Sequence, residues 1–204
     1  MSIKIGILNC YSDEPMSAPS ANYFSDLINN TTIINTCYNE KIESINDYNG
    51  YIISGSRSCH RNTVDWIFEL KKCVKQIYDE NIPCLAVCFG HQVVAQMFGG
   101  TTVKNLAGEE GFQDVPTVVG DIPIKLFSGL PNPVKIYQSH NDAVKKAPPG
   151  SVQVICNEKC VQYFQFGPIY SIQSHPEIIV PHAIKLANRE DKDVNLMLNG
   201  VNEQ

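Results

Sequence analysis

The stretch from residue 82 to residue 92 constrains the possible folds more than any other part of the chain. The apolar run from Cys84 to Val87 is short and predicts a buried strand. The apolar residues from 93 to 98 follow closely and predict a helix, which ends at Gly99-Gly100. Cys88 therefore lies where a strand turns sharply into a helix.

The residues around Cys88 predict a nucleophile elbow, a tight turn that raises a nucleophile above the edge of a sheet. Such a turn tolerates only small flanking residues, and Ala86 and Gly90 stand two positions to either side. The free N–H groups and the dipole of the following helix favour a thiolate, and the N–H of Phe89 is placed to help hold an oxyanion. The competing interpretation is a buried, inert thiol, because free cysteines are often buried and the chain contains eight.

Length and composition place the chain among ordinary globular proteins. Its 204 residues are enough for a well-buried core, and we expect a single domain over residues 1–204. Hydrophobic residues make up 43% and charged residues 18%, and the net charge is −5 without a basic patch, which argues against nucleic acid as a partner. The sequence lacks a membrane-spanning apolar stretch, and residues 1–8 lack the apolar core of a signal peptide. A cytoplasmic protein without membrane contact is expected.

The cysteines predict reduced thiols rather than disulfides or a metal centre. A chain of this size with ample core residues does not need disulfides for its stability. The sequence contains no CxxC pair and no histidine pair at structural zinc spacing, and no second pair accompanies Cys156 and Cys160. We therefore expect no metal and no cofactor.

Strands alternate with helices in the first half of the chain. The predicted strands cover residues 3–8, 31–37, 50–53 and 84–87, and the predicted helices cover 21–28, 63–78 and the segment after Cys88, with a weaker helix signal at 42–48. This alternation is typical of an α/β fold with a mostly parallel central sheet and helices on both faces, a flavodoxin-like three-layer arrangement. Ligands bind at the carboxyl ends of strands in such sheets, and both Gly55 and Cys88 lie at such ends.

The second half of the chain predicts a smaller group of antiparallel strands. The candidate strands are residues 115–119, 122–126, 134–138, 151–156, 160–166 and 168–173. The break at Gly167-Pro168 predicts that the last two strands form a hairpin. A last helix is expected to begin within residues 182–187, and the polar tail from 188 to 204 is expected to be helical or frayed.

A histidine late in the chain supplies the base that cysteine catalysis requires. Pro176 disfavours a helical conformation for His175 and keeps it at a strand end. Glu177 lies two residues beyond His175, so it points to the same side of an extended chain, where its carboxylate fixes the imidazole tautomer. These residues give a Cys88–His175–Glu177 hypothesis, whereas the His-Pro-Glu tripeptide taken alone would favour a surface turn.

Several segments together resemble one known family. Cys-Phe-Gly-His-Gln at 88–92 and Ser-His-Pro-Glu at 174–177 resemble the active-site motifs of the class I (triad) glutamine amidotransferases, and the spacing between them suits that family. Ile-Ser-Gly-Ser at 53–56 resembles its oxyanion-strand turn, and Gln-Ser-His-Asn-Asp at 138–142 resembles its Ser-His-x-Asp segment. The resemblance covers residues 3–185 and combines these motifs in the family's order.

The resemblance implies hydrolysis of a γ-glutamyl amide, either glutamine or a similar small molecule. Cys88 would attack the amide carbonyl, His175 would take and return the proton, and Glu177 would orient His175. Ammonia or an amine would leave, and water would resolve the γ-glutamyl thioester. The resemblance implies no cofactor and no metal for this chemistry.

The resemblance also implies roles for residues around this triad. Backbone N–H groups at Gly55 or Ser56, and at Phe89, would hold the oxyanion. Gln92 would line the substrate pocket, in preference to the alternative of a helix residue that faces solvent. His91 is expected to have a packing or hydrogen-bonding role.

Other positions are expected at the pocket edge or depart from the family pattern. Ser139 and His140 are expected to be structural or pocket-edge residues. The family turn usually reads Gly-Gly-Pro where residues 55–57 read Gly-Ser-Arg, so Arg57 either meets a substrate carboxylate or is a solvated loop cation. Ser174 replaces a more typical Phe or Gly, and we expect this change to reshape the pocket rim.

Three functions remain open from the sequence. The turn at 54–56 and the helix start at 65–67 resemble stand-alone γ-glutamyl peptidases, which is the first interpretation. The segment 138–150 resembles the separate amidotransferase subunit of GMP synthase, which would supply ammonia to a partner synthetase. An inactive binding module comes last, because all three triad residues are present.

Overall fold

The computed structural model describes residues 2–11, 19–104, 108–198 and 201. Its strands are β1 (Ile5–Leu8), β2 (Thr31–Ile34), β3 (Gly50–Ile53), β4 (Cys84–Val87), β5 (Thr101–Val103), β6 (Glu109–Val115), β7 (Val118–Val119), β8 (Ile122–Pro123), β9 (Val134–His140), β10 (Ala143–Lys146), β11 (Val152–Cys156), β12 (Val161–Phe166) and β13 (Ile169–Ile172). Its helices are α1 (Pro19–Leu27), α2 (Asp65–Asp79), α3 (Phe89–Met97), α4 (Val180–Glu190) and α5 (Val194–Met197).

A seven-stranded sheet forms the centre of the fold, in the spatial order β11-β12-β13-β4-β3-β1-β2. The strands from β13 to β2 are all parallel, whereas β11 and β12 run antiparallel at one edge. Three two-stranded antiparallel sheets lie outside it and pair β5 with β10, β6 with β9 and β7 with β8. The predicted α/β class, with a mostly parallel sheet and a smaller antiparallel group, is confirmed.

Side chains from the two faces of the central sheet enter two different hydrophobic clusters. Leu8 and Ile53 belong to one cluster, together with the buried face of α2 and much of α3. Ile7 and Ile52 belong to the other, which includes Phe24 of α1. Since successive strand residues point to opposite faces, both faces of the sheet are covered, as the sequence pattern predicts.

The helix α2 shows how the apolar pattern produces this packing. Its buried residues recur at helical spacing and face the sheet, namely Trp66, Ile67, Leu70, Val74 and Ile77. Its lysines lie on the opposite, more exposed side, where Lys72 pairs with Glu69 and Lys75 pairs with Asp79. No helix in the described part of the chain is both long and apolar enough to cross a membrane.

The connection from β4 to α3 forms the sharp turn that the sequence predicts. Cys88 caps α3 with φ 49° and ψ −99°, a left-handed conformation that costs a non-glycine residue about 1–3 kcal/mol. The Cys88 N–H donates to Ile172 O at 2.9 Å, so the neighbouring strand β13 helps to hold this conformation. Gly90 packs so tightly that an added Cβ would lie 2.8 Å from Ile53 Cγ2, which explains the small residue at this position.

The region after α3 differs most from the prediction. Residues 109–115 form β6, which pairs with β9 over seven positions from Glu109 opposite His140 to Val115 opposite Val134. The predicted strands at 115–119 and 122–126 shrink to β7, β8 and a 3₁₀ turn at Lys125–Phe127. The strands β5 and β10 were not predicted either. The polar composition of β6 conceals it, because this strand is stabilised by pairing with a distant partner rather than by its own apolar pattern.

Smaller differences concern the boundaries of elements. The second strand ends at Ile34, and a 3₁₀ turn over Thr36–Tyr38 follows instead of more strand. The weak helix at 42–48 is a 3₁₀ turn over Ile45–Asp47. The hairpin of β12 and β13 is confirmed, with Gly167 at φ 55° in its turn. Part of the predicted loop at 10–20 and of the polar tail lies outside the described residues.

Substitution of Gly90 by alanine tests this packing at the turn. The added methyl group would collide with Ile53, and overpacking of this kind costs about 1–3 kcal/mol of unfolding free energy. Chemical denaturation should therefore show a lower midpoint for Gly90→Ala. Gln96→Ala, at a more exposed position of the same helix, is the control and should change the midpoint little. Equal stability of the two variants would contradict the packing described here.

Candidate active site

A cavity of about 560 Å³ opens at the carboxyl ends of β3 and β4. Gly55 follows β3 and Cys88 follows β4, and both residues line it. His175 lines the opposite part of the wall, in the segment between β13 and α4. Parallel strands leave their carboxyl ends at one edge of a sheet, so residues distant in sequence meet there.

The side chains of Cys88, His175 and Glu177 lie in contact in this cavity. The His175 Nδ1–H donates to Glu177 Oε1 at 2.8 Å, and a further hydrogen bond joins the side chains of His175 and Cys88. The backbone of His175 is fixed as well, because its N–H donates to Tyr137 O at 2.7 Å. The geometry of a nucleophile, a base and a group that orients the base is therefore present.

Electrostatics in this cluster favour a charged imidazole. Burial by itself lowers the pKa of His175, but the charges of Glu177 and Cys88 and hydrogen bonds to both residues raise it well above its ordinary value. Glu177 is fully buried, so its carboxylate is poorly screened from His175. The arrangement suits a thiolate–imidazolium pair at neutral pH.

The sequence analysis missed one residue of this cluster, Ser20. Its hydroxyl donates to Glu177 Oε1 at 2.6 Å, so that one carboxylate oxygen accepts hydrogen bonds from both Ser20 and His175. The other oxygen, Oε2, has no hydrogen-bond partner among the described residues. Ser20 lies in the first turn of α1, where a serine is expected merely to cap the helix, and 157 residues separate it from Glu177.

The segment behind Glu177 is held by two aromatic rings. The His182 Nδ1–H donates to the backbone oxygen of Glu177 at 2.8 Å. The His182 ring stacks on Tyr23 of α1, with 3.8 Å between the ring centroids. The helix α1 therefore fixes Glu177 through both its side chain and its backbone.

The turn after β3 lies directly against the imidazole. A Cβ at Gly55 would be 2.8 Å from His175 Cε1, so only glycine fits while the ring keeps this position. Ser56 also lines the cavity, and its hydroxyl accepts a hydrogen bond from the Ser58 N–H at 2.9 Å. Phe89 is almost fully buried, so only its backbone is placed to serve the cavity.

Gln92 lines the cavity, and its amide is fixed in one orientation. Its Oε1 accepts from the His60 Nδ1–H at 3.1 Å, and its Nε2 donates to the backbone oxygen of Asp142 at 2.8 Å. Burial lowers the pKa of His60 to about 4, and Arg61 donates to the other ring nitrogen at 3.1 Å. His60 is therefore a neutral donor that determines which end of the Gln92 amide faces Asp142.

Arg57 sits at the rim of the cavity and forms an ion pair with Glu190, 2.5 Å away. Glu190 also pairs with Lys192 at 2.9 Å, and Lys192 pairs with Glu110 of β6 at 3.2 Å. These contacts join the turn after β3 to the end of α4 and to β6. The Arg57 guanidinium is thus tied into a network across the cavity mouth.

The remaining predicted residues lie in different surroundings. Ser139 and His140 line the cavity, and Ser139 O lies 3.9 Å from Cys88 Sγ. His91 is fully buried, bonds to Ser171 and to the backbone of β12, and burial lowers its pKa to about 3. Ser174 is also fully buried and does not line the cavity, so the expectation that it reshapes the rim is wrong.

Two groups of side chains in the described part of the chain have the ligand types and proximity of metal sites. In the group of Cys59, His60 and Asp142, the guanidinium of Arg61 lies 2.7 Å from the Asp142 carboxylate and supplies the positive charge itself. The second group, Glu109, His140 and Cys160, is filled by amide donors from Asn157 and Gln162. Both groups therefore fit hydrogen-bond networks better than cation sites. All eight cysteines are free thiols.

Fold and cavity together define an α/β protein with a buried Cys–His–Glu cluster at the carboxyl edge of its sheet. Residues 20–186 match the family described as glutamine amidotransferase class-I. The chain therefore belongs to the class-I glutamine amidotransferase family.

Related sequences point to one branch of this family. The glutamine-hydrolyzing subunit of GMP synthase from Pyrococcus abyssi is 33% identical over 160 residues, which cover 76% of each chain. The same subunit from Methanosphaera stadtmanae is 32% identical over 154 residues, which cover 74% of this chain and 76% of that one.

Solved structures share the fold at lower identity. A glutamine amidotransferase of Thermotoga maritima superposes with a TM-score of 0.77 and 20% identity, over 96% of this chain and 88% of that one. A glutamine amidotransferase of Methylobacillus flagellatus gives a TM-score of 0.69 with 16% identity, over 93% of this chain and 76% of that one. At these identities the likeness concerns the fold alone.

The Ser20→Ala variant tests whether this serine supports Glu177. Loss of one hydrogen bond to a buried charged group costs about 1.5–3 kcal/mol, so the maximal rate of inactivation by the diazoketone analogue of glutamine should fall about tenfold or more. The concentration of analogue that gives half the maximal rate should stay nearly constant, and Ser20→Thr should restore much of the rate.

Ser25→Ala is the matched control for this variant. Ser25 also lies on α1 and also makes one hydroxyl hydrogen bond, to Thr31 at 2.9 Å, but it does not line the cavity. Its variant should react like the wild type. Equal rates for Ser20→Ala and Ser25→Ala would show that Ser20 does not support the cluster.

Proposed function

We propose that this chain is a glutamine-hydrolysing subunit that supplies ammonia to a separate synthetase chain of the GMP synthase type. The observation that carries the proposal is the similarity to the glutamine-hydrolyzing subunit of GMP synthase, which extends over three quarters of both chains. Those relatives are glutamine-hydrolysing by name. This support favours the ammonia-supplying subunit over the stand-alone hydrolase, which the sequence motifs alone placed first.

In the proposed reaction, the Cys88 thiolate attacks the side-chain carbonyl carbon of glutamine. The positive charge on His175 pairs with the thiolate before attack, and its proton then passes to the departing ammonia. A γ-glutamyl thioester remains on Cys88. Water attacks this thioester while His175 removes its proton, and glutamate leaves with the thiol regenerated.

Backbone N–H groups stabilise the oxyanion in this proposal. The donors are those of Gly55 or Ser56 on one side and of Phe89, the first residue of α3, on the other. Preorganised donors of this kind are worth about 2.7–4 kcal/mol each in acyl transfer. The close contact between Gly55 and the His175 ring supports the assignment, because it places the turn beside the base.

Glu177 and Gln92 have positioning and binding roles in the proposal. Glu177 fixes the His175 tautomer, since its carboxylate accepts from Nδ1 and leaves Nε2 for Cys88. Gln92 borders the substrate, and its amide orientation is set by His60 and Asp142. Both residues are buried, so water competes little for these hydrogen bonds.

A stand-alone γ-glutamyl hydrolase is the second candidate function. The observation in its favour is the cavity volume of about 560 Å³, which leaves space beside a glutamine side chain for a larger amine. Arg57 at the rim provides a cation for a carboxylate on such an amine. An inactive binding module is disfavoured, because Cys88, His175 and Glu177 are all present and in contact.

Product assays with and without a GMP synthase synthetase subunit test the proposal. Ammonia release from glutamine should be slow for the isolated chain and rise at least about tenfold with the synthetase, a change of about 1.4 kcal/mol in the barrier. Cys88→Ala should abolish release. Cys156→Ala, which removes an exposed cysteine, is the control and should leave the rate unchanged.

The alternatives give different results in the same assays. Rapid release of amines from γ-glutamyl peptides by the isolated chain would favour the stand-alone hydrolase. The absence of turnover under every condition, with Cys88 unreactive toward iodoacetamide, would contradict both enzyme functions. Slow turnover with a readily alkylated Cys88 agrees with a subunit that awaits its synthetase.

A further inference from the structure

The most heavily hydrogen-bonded carboxylate described in the chain lies outside the triad, at Glu109 in β6. Its Oε1 accepts from Asn157 Nδ2 at 2.8 Å, and its Oε2 accepts from Gln162 Nε2 at 2.7 Å. His140 Nε2 lies 3.1 Å from the same Oε2, and the Cys160 thiol approaches it at 3.7 Å. Glu109 is only 7% exposed, so these groups replace water around a buried acid.

Both ring nitrogens of His140 face hydrogen-bond acceptors. Nε2 faces the Glu109 carboxylate, and Nδ1 faces the backbone oxygen of Asp142 at 3.1 Å. A neutral imidazole carries one N–H and would leave one of these contacts without a donor. A doubly protonated His140 satisfies both acceptors.

A neutral pair, with the proton on Glu109 instead, would make the same number of hydrogen bonds. The surroundings of the carboxylate favour the charged pair, because two side-chain amides donate to it as well as His140. Burial by itself raises the pKa of Glu109, but the hydrogen bond and charge of His140, together with the two amides, lower it below its ordinary value. An ionised Glu109 therefore faces a charged His140.

The imidazole of His140 connects this pair to the cavity. The Asp142 backbone oxygen accepts from two side chains, His140 Nδ1 and Gln92 Nε2. The segment from Ser139 to Asp142 forms the cavity wall opposite α3, and Ser139 O lies 3.9 Å from Cys88 Sγ. The position of one peptide group thus sets both the wall beside Cys88 and the amide of Gln92.

We propose that Glu109 and His140 form a buried ion pair that positions the segment from Ser139 to Asp142, and through it Gln92, for the binding of glutamine. Neither residue needs to touch the reacting atoms, so both are positioning residues. The inference rests on the proposed function, because it concerns the binding of that substrate. It adds a third histidine role to this site, beside the base His175 and the neutral donor His60.

A buried ion pair is a weak source of stability, since the loss of hydration offsets most of the attraction between the charges. Apolar side chains of similar volume would stabilise the same space about as well. What the pair supplies is a fixed direction for two N–H bonds, one of which ends at the cavity wall. Loss of the charge on Glu109 should therefore affect glutamine binding more than thiol reactivity.

The variant Glu109→Gln tests this inference with two reagents. The concentration of the diazoketone analogue of glutamine that gives half-maximal inactivation should rise about tenfold, as expected for loss of a charge-assisted hydrogen bond. The rate of alkylation by iodoacetamide, which needs the thiolate but not the glutamine pocket, should stay close to that of the wild type.

Asp114→Asn is the matched control, because it also removes a carboxylate charge from β6. Asp114 pairs with Lys135 on β9 at 3.0 Å, on the same two strands, and it does not line the cavity. It should leave both reactions unchanged. Equal effects of Glu109→Gln and Asp114→Asn, or equal loss of both reactions in Glu109→Gln, would overturn the positioning role.

Nitrogen NMR of the wild type tests the ion pair without any variant. With histidines labelled, both ring nitrogens of His140 should show the protonated pattern at neutral pH, whereas His60 and His91 should each show one protonated nitrogen. A neutral pattern for His140 would overturn the inference even if Glu109→Gln fails to fold. If the wild type does not react with the glutamine analogue while the His140 pattern is present, the proposed function fails and the ion pair stands as a structural feature alone.

Discussion

The backbone at Cys88 is the constraint on which the site depends. A left-handed conformation at a non-glycine residue costs about 1–3 kcal/mol, and it persists only where the surroundings fix it. Here the neighbouring strands β3 and β13 fix it, through the close contact of Gly90 with Ile53 and the hydrogen bond from Cys88 to Ile172. In return, the thiol stands at the N-terminus of α3 and at the floor of the cavity. The parallel sheet thus supplies both the strain and the place for the nucleophile.

Histidines of one chemical type take different forms around this cavity because their partners differ. His60 is neutral, since burial and Arg61 oppose a positive charge. His175 is surrounded by Glu177 and Cys88, whose negative charges outweigh the effect of burial. Burial dominates at His91, which bonds to a hydroxyl and a backbone oxygen and carries no charge. The protonation state of each ring follows from what its two nitrogens meet.

Local sequence patterns predict the features that depend on neighbours in the chain. The turn at Cys88 follows from small residues on either side, and the hairpin of β12 and β13 follows from Gly167-Pro168. The alternation of strands and helices is enough for the parallel sheet. The contact of Cys88 with His175 could be inferred only because two motifs together resembled a known family, since nothing local indicates which strand ends are neighbours.

Features that depend on distant partners escape local patterns. Ser20 has the appearance of an ordinary helix-start residue, and its contact with Glu177 arises only when α1 packs beside the end of β13. The strand β6 is polar along much of its length, because it gains its stability from β9 and from a hydrogen-bond network around Glu109. Ser174 illustrates the opposite error, since its place next to His175 in the sequence suggested a rim that its burial excludes.

Detection of the acyl-enzyme tests the central claim most directly. The chain, with the synthetase subunit present, would be mixed with glutamine, quenched in acid within one turnover, digested and examined by mass spectrometry. The account predicts a γ-glutamyl group on the peptide that contains Cys88, at that sulfur and at none of the other seven cysteines. Glutamate formation without any adduct on Cys88, or an adduct on another cysteine, would contradict it.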